Sequence, residues 1–345
     1  MDIHVWGYNQ YGIIDTYESV IWNTQYFGQN EFELTVAGTP ENIALLQVGN
    51  TLMRSVDVGS NSEQFNKMII ENRKITFDAE RGWILTVGGR GVKKIVGQRV
   101  IWEQTNLSGN VEDGIRQILT DNIIAPDIPE RAIDSFVLDT AAGLTDTFEV
   151  QLFGENIAEW LESVCQTYDY GWDIYSSRAS EYVFKLYKGS EVPIIFSPEY
   201  DNLISATYEE DFRNLKNTAL VGGEGEGTSQ RVTSVGTTGG LSRYETYVDG
   251  SSVSSNGEII TEQTYLSMLQ NFGSEQLAQT TFTHKFEGEI LQNLYKLGVD
   301  FKLGDVVRIS NGLVSATSRI IEVIYSEDEN GTSIVPTFSD WKEDD

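Results

Sequence analysis

One ordered set of residues occurs twice in this chain, once towards each end. The N-terminal third contains Val48-Gly49-Asn50-Thr51-Leu52-Met53-Arg54, then Met68-Ile69-Ile70-Glu71, then a turn at Gly82. The C-terminal segment contains Leu303-Gly304-Asp305-Val306-Val307-Arg308, then Arg319-Ile320-Ile321-Glu322, then a turn at Gly331. A glycine, a short polar residue and a brief apolar run read as a turn entering a strand. Because the pieces keep their order and similar spacings, they predict two copies of one small β-barrel, with other material between. The competing reading is that a glycine before an apolar strand recurs by chance in β proteins. Strand order and hydrogen bonding decide between the two.

The material between changes period. Val111, Ile115, Ile118 and Leu119 follow a helical spacing after Ser108-Gly109-Asn110, with Glu112 and Asp113 in the first turn. A second helix carries Ile157, Trp160, Leu161, Val164, Cys165 and Tyr168, with Gly171 as its stop, and a third runs from Thr261 to a break at Gly273. A short helix follows Pro40, the Gly222 to Gly227 stretch reads as a hairpin tip, and Asn330-Gly331 as a type I′ turn. The expected layout is an α+β, β-dominated fold of four parts. Residues 1–105 form the first barrel, completed by part of 201–222; 106–200 form an α+β insert. Residues 201–290 form a β-rich domain with one helix, and 291–345 the second barrel.

Chemistry finds little material. The chain has 52 Asp plus Glu against 24 Lys plus Arg, a formal charge of −28. Gripping phosphate needs a basic surface, so nucleic-acid and anionic-membrane binding are disfavoured, and the dispersed acids read as a solvated surface. No run approaches the roughly 18 apolar residues of a membrane span, and the start at Met1-Asp2-Ile3-His4 lacks a secretory pattern, so synthesis in a cytoplasm is expected. His4 and His284 are the only histidines, too few for a convincing Ser-His-Asp or Cys-His arrangement, and no zinc-spaced pattern exists. Cys165 sits on an apolar helix face and reads as a buried structural thiol.

The loop Gly222-Gly223-Glu224-Gly225-Glu226-Gly227 carries two carboxylates and no Gly-Lys-Ser/Thr, unlike a phosphate cradle. The acidic turn Glu327-Asp328-Glu329-Asn330-Gly331 has Phe338 where a calcium loop closes with Glu. With 52 acids some carboxylate pair always fits a glycosidase, so that signal carries little weight; Trp22 and Trp160 fall on apolar faces, as core residues do. No catalytic, cofactor-binding or metal-binding residue is expected, and no cofactor.

Several stretches together resemble the siphophage tail-hub family, the Gp37-like tail proteins related to the N-terminal hub module of tail-associated lysins. They are Ser19 to Trp22, Tyr26 to Leu34, Pro40-Glu41-Asn42 leading to Val48-Gly49-Asn50, Gly88-Gly89-Arg90, Arg99 to Trp102 and Leu107 to Asn110. Further on come Phe196 to Leu203, Leu215 to Gly223, Arg243-Tyr244-Glu245 and Val248-Asp249. The resemblance implies a fold like the central hub of contractile-phage baseplates: two tail-tube-type β-barrel domains and two smaller domains, assembled as a homotrimer. It also implies a place in the virion's tail tip. Its neighbours there would be a distal tail protein, tape-measure ends and receptor-binding or tip proteins, with DNA only in passing and no membrane insertion. Many relatives continue into a lysin or host-binding region. This sequence stops at Trp341-Lys342-Glu343-Asp344-Asp345, so no such role is expected. The alternatives are a virion-associated cell-wall glycan hydrolase and a carbohydrate-binding receptor protein.

Overall fold

The computed structural model describes residues 1–55, 66–176, 181–255, 260–278, 280, 283–291, 294–310, 312 and 315–343. The N-terminal unit has seven strands: β1 (Ile3–Gly7), β2 (Gln10–Ile14), β3 (Ser19–Gln25), β4 (Glu31–Ala37), β5 (Thr51–Arg54), β6 (Met68–Asp78) and β7 (Gly82–Gly91). Between β4 and β5 lies α1 (Pro40–Leu45), whose first turn is capped by the Thr39 hydroxyl accepting from Asn42 N–H. Strict alternation makes the strands one-sided. Val20 and Trp22 of β3 and Phe32, Leu34 and Val36 of β4 are buried together in one core.

The insert contains β8 (Thr105–Asn110), α2 (Val111–Leu119), β9 (Phe136–Leu138), β10 (Thr147–Leu152), α3 (Ile157–Tyr168), β11 (Gly171–Ser176) and β12 (Tyr182–Tyr187). Its core runs from Val92 to Leu186. Next come β13 (Glu191–Phe196) and β14 (Leu203–Asp211), then a small unit of β15 (Thr218–Gly222), β16 (Val232–Val235), β17 (Glu245–Asp249) and α4 (Glu262–Ala278) with its own core. The chain ends in β18 (Thr283–Ile290), β19 (Val306–Ser310), β20 (Ser315–Asp328) and β21 (Gly331–Glu343). No helix among the described residues is long and apolar enough to cross a membrane.

Thirteen strands form one sheet in the order β14-β18-β21-β20-β3-β4-β7-β6-β5-β1-β2, with β19 also on β20 and β13 parallel to β19. Within it the sequence repeat is a structural repeat. Gly49 (φ 89°) donates to Ile70 O at 2.8 Å, and Ile70 donates back to Asn50 O at 2.9 Å. Gly304 (φ 92°) donates to Ile320 O at 2.8 Å, and Ile320 donates back to Asp305 O at 2.9 Å. Both long strands bulge at the next residue: Ile70 pairs Gly89 and Asn72 pairs Gly88, while Ile320 pairs Phe338 and Glu322 pairs Thr337. Asp78 and Asp328 then close the two hairpins against Gly82 and Gly331. Ile70 is therefore the counterpart of Ile320, one residue out of step with matching the two Ile-Ile pairs end to end. The phase is set by the buried side: Ile70 and Ile320 both point into their cores.

Other expectations change. β14 pairs with β18 in the C-terminal unit, and β15 pairs with β16 and β17, so among the described residues no strand of 201–222 completes the N-terminal unit. Leu203, Phe286 and Ile290 belong to the same core as Ile320 and Phe338, which draws β13, β14 and β18 into the C-terminal unit. α3 ends at Asp169 in the left-handed conformation (φ 58°), whereas Gly171 opens β11 because a Cβ there would overlap the Tyr26 ring. α4 is capped by Thr261 accepting from Thr264 N–H and runs through Gly273, where the missing Cβ admits Val221 of β15. The last hairpin turns on Glu329-Asn330: Asn330 is not at positive φ, and Gly331 (φ 125°) follows the turn.

Gly89 faces the first bulge so closely that a Cβ would overlap Ile69 O and sit 2.9 Å from Glu71 N. Gly82 (φ 78°) has open space around it. We expect Gly89→Ala to cost about 2–4 kcal/mol by forcing backbone apart, and Gly82→Ala about 1 kcal/mol from its positive φ alone. Urea unfolding of the two variants checks the order; equal losses would contradict the packing at the bulge.

Candidate functional site

The residues that chemistry would recruit are taken up by structure. Cys165 is fully buried on α3, and burial pushes its thiol well up. His4 stacks on Trp6 with ring centroids 5.7 Å apart and shares a hydrogen bond with Tyr11 Oη at 2.7 Å. The side chain of His284, like Thr281 and Phe282, lies outside the described residues. Glu224, in the glycine-rich connection between β15 and β16, accepts from Ser254 Oγ (2.8 Å) and from Ser255 N and Oγ (2.8 and 2.7 Å), tying that loop down. Glu327 receives the N-terminal ammonium at 2.9 Å, and Asp328 accepts from Asn330 N–H. Trp22 and Trp160 are buried. Among the described residues no group of three or more His, Cys, Asp and Glu is placed to hold a metal. An open groove of about 1260 Å³ between the two hairpin tips is lined by Tyr17, Glu18, Arg81, Glu327 and Asp328, without a histidine.

The sheet offers a different kind of site. One side of β20 is shared along its length: Ser315–Arg319 pair with β19, and Glu322–Asp328 pair with β3. On β6 the corresponding side pairs with β5 only at Met68 and Ile69. From Asn72 to Asp78 that side has no strand neighbour among the described residues. The outer side of β14 is open in the same sense. Unpaired N–H and C=O rows of this kind are templates for another strand. On β6 the core-facing side chains include Ile75 and Phe77, which with Trp83 stay 46%, 60% and 57% exposed. The Phe77 and Trp83 rings lie 5.1 Å apart. Asn72, Lys74 and Thr76 face solvent, and β14 presents Glu209 and Glu210. Sequence reading named none of these residues. The strand registers bring them out, since they set Tyr208 on Trp22 and Phe286 on Phe32.

The profile of the Siphovirus ReqiPepy6 Gp37-like protein family matches residues 2–339. The chain belongs to this family. No curated protein sequence matches it. Among solved structures, this Gp37-like chain is similar to the 43 kDa tail protein of prophage MuSo2 from Shewanella oneidensis (13% identity, 98% of each chain covered, TM-score 0.61). It is similar to a tail protein from Neisseria meningitidis MC58 (13% identity, 98% of this chain and 96% of that one, TM-score 0.60). A third likeness is to prophage tail protein gp18 of Listeria monocytogenes EGD-e (12% identity, 99% and 96% covered, TM-score 0.55). At these identities the likeness establishes the fold, which is that of phage tail proteins.

Strongly shifted titratable groups often mark reactive clefts. In this Gp37-like protein two of them sit where units meet. Lys93 is buried, donates to Gln25 O (2.8 Å) and Gly28 O (2.6 Å), and lies 4.4 Å over the Trp172 ring; burial lowers it to about 8, with Asp173 opposing. Glu275 lies on α4, which packs against α3 and β10 of the insert, and its Oε1 has no hydrogen-bond partner among the described residues. Burial raises its carboxyl to about 7, and Glu155 adds to the rise. The folded chain therefore holds a proton on Glu275 that the unfolded chain releases above its ordinary value of 4.5. Its contribution to stability is full below that value and is lost as pH rises towards 7. Thermal unfolding between pH 4.5 and 8 should show this loss, and Glu275→Gln should flatten it; an unchanged profile would contradict the burial.

Proposed function

We propose that the chain is the hub of a long-tailed phage's tail tip, working as a closed trimer that joins the tail tube to the tip and forms or closes the DNA exit. The observation that carries this is the duplicated sheet unit. Two equivalent units per chain let three copies present six similar positions to a six-fold tube, each unit acting as a tube-type barrel domain. Membership of a siphovirus family and the tail-protein fold point the same way. The partners on this reading are a distal tail protein, tape-measure ends and further tip or receptor-binding proteins within the virion.

The function is geometric rather than catalytic. The solvent side of the sheet carries Glu31 and Glu33 on β4, Glu287 and Glu289 on β18, and Glu322 on β20. If that side lines the ring, a lumen of the same sign as DNA lets the duplex slide without ion pairs to break, where a basic lumen would bind it. Screening over about 8 Å at physiological ionic strength limits the entry barrier.

Native mass measurement at rising concentration should give three chains, and electron microscopy of that species should place Glu31 and Glu33 inside. A stable dimer or hexamer, or these residues outside, would overturn the respective parts. Host cell walls mixed with purified protein should keep their turbidity; lysis abolished by one carboxylate substitution would instead make the chain a hydrolase.

A further inference from the structure

The chain contains a template for how its own units join. β20 of the C-terminal unit pairs with β3 of the N-terminal unit: Val323 opposite Thr24, Ile324 opposite Asn23, Tyr325 opposite Trp22, Glu327 opposite Val20. In the repeat, β6 is the counterpart of β20 at a constant offset, 70 to 320 and 78 to 328, through the shared bulge and closing aspartate. β14 is the counterpart of β3. Phe286 and Glu287 occupy on β21 the places that Phe32 and Glu33 occupy on β7, and Ser205, Ala206, Thr207 and Tyr208 then fall on Ser19, Val20, Ile21 and Trp22. The two strands left open are thus the two whose counterparts are already joined.

We infer that β6 of one copy pairs antiparallel with β14 of the next copy, repeating between chains the β20–β3 junction found within each chain. The inference rests on the trimeric reading above and supplies its interface. Carrying the register across sets Arg73 opposite Glu210, Lys74 opposite Glu209, Ile75 opposite Tyr208, Thr76 opposite Thr207 and Phe77 opposite Ala206. Nothing in the alignment used charge, yet Lys74, the solvent-facing basic residue of the β6 edge, meets an acid, as directly opposed cross-strand pairs favour. Arg73, whose guanidinium donates to Gln47 Oε1 at 2.7 Å and Ile43 O at 2.8 Å, lies opposite another. Ile75 and Phe77, exposed in one copy, meet Tyr208 and Ala206, which already pack against the C-terminal core. They complete for the next unit what Tyr325 does at the internal junction, where it packs against both cores.

The hydrogen-bond phase selects a probe. Tyr26 N–H donates to Ile321 O at 2.8 Å, so alternate pairs such as Ser326 with Ile21 are non-hydrogen-bonded. Such pairs have Cα atoms about 4.5 Å apart, within disulfide reach. Their counterpart is Thr76 with Thr207, both exposed and on the solvent face. A chain carrying Thr76→Cys and Thr207→Cys, oxidised at high concentration, should give a covalent three-chain species on a non-reducing gel, while each single variant stays one chain. Buried Cys165 does not compete. Lys74→Glu in the double-cysteine chain should remove most of that product, and adding Glu209→Lys should restore it. A native trimer that fails to cross-link would overturn the pairing and leave the trimer standing. A cross-linked open ladder would keep the pairing and overturn the closed trimer. Neither trimer nor cross-link would overturn both, and indifference to Lys74→Glu would overturn the register.

Discussion

The Tyr26 ring is the point on which three of the four cores depend. It is fully buried at the end of β3, and its backbone N–H donates to the O of Ile321, the bulge residue of β20. Gly171 at the start of β11 and Gly304 at the start of the second repeat both press on the ring so closely that neither could carry a side chain. Arg319 lies over it at 5.4 Å, binds the Asp169 carboxylate through two nitrogens and donates to Gly304 O at 2.5 Å. A planar guanidinium suits this place because it can stack on the ring and grip a carboxylate at once. The end of α3, the first repeat and the second repeat are therefore held by one aromatic ring and one fork of hydrogen bonds. Lys93, reaching Gln25 O and Gly28 O from the insert, fixes the loop on the other side of Tyr26.

That junction explains where the two copies of the repeat diverge. Gly89 stands where the second copy has Phe338. In the C-terminal unit Phe338 packs its ring against Phe196 and Phe286, filling a core built without β1 and β2. In the N-terminal unit Trp22 and Phe32 occupy the equivalent core, and Gly89 lets β6 bulge inwards. The outer neighbour of the middle strand differs too: β1 lies antiparallel to β5, whereas β13 lies parallel to β19. The frame of five strands is common, and the residues that close each core are private to it.

Much of the frame was legible in the sequence because glycine, bulge and turn positions carry strong local signals. Gly49 and Gly304 need positive φ, and the apolar runs beside them alternate cleanly. What was not legible depends on long-range contact. β14 reads as an ordinary polar strand, Ile204 to Asp211, and nothing local says that it pairs with β18 some eighty residues later. Gly171 and Gly273 look like helix stops in one dimension. In three dimensions they are clearances for Tyr26 and Val221. The open edges were invisible for a related reason: an edge is defined by the strand that is missing, and only the sheet order reveals it.

An open edge beside exposed Ile75, Phe77 and Trp83 is a hazard unless its pairing is restricted. Charge supplies the restriction. Two β6 edges paired antiparallel about Arg73 and Lys74 would crowd these residues against their own kind, and two β14 edges paired about Glu210 would crowd Glu209, Glu210 and Asp211. Like charges directly opposed oppose pairing, and a chain of net charge −28 adds a general repulsion between copies. The pairing of unlike edges relieves both. An interface of unlike surfaces runs head to tail, so it builds a ring where the rotation closes and a filament where it does not. The internal β20–β3 junction already fixes the rotation between one unit and the next. Repeating it with the same bulge and register gives the same step at every joint, so that one step decides between a ring and a filament.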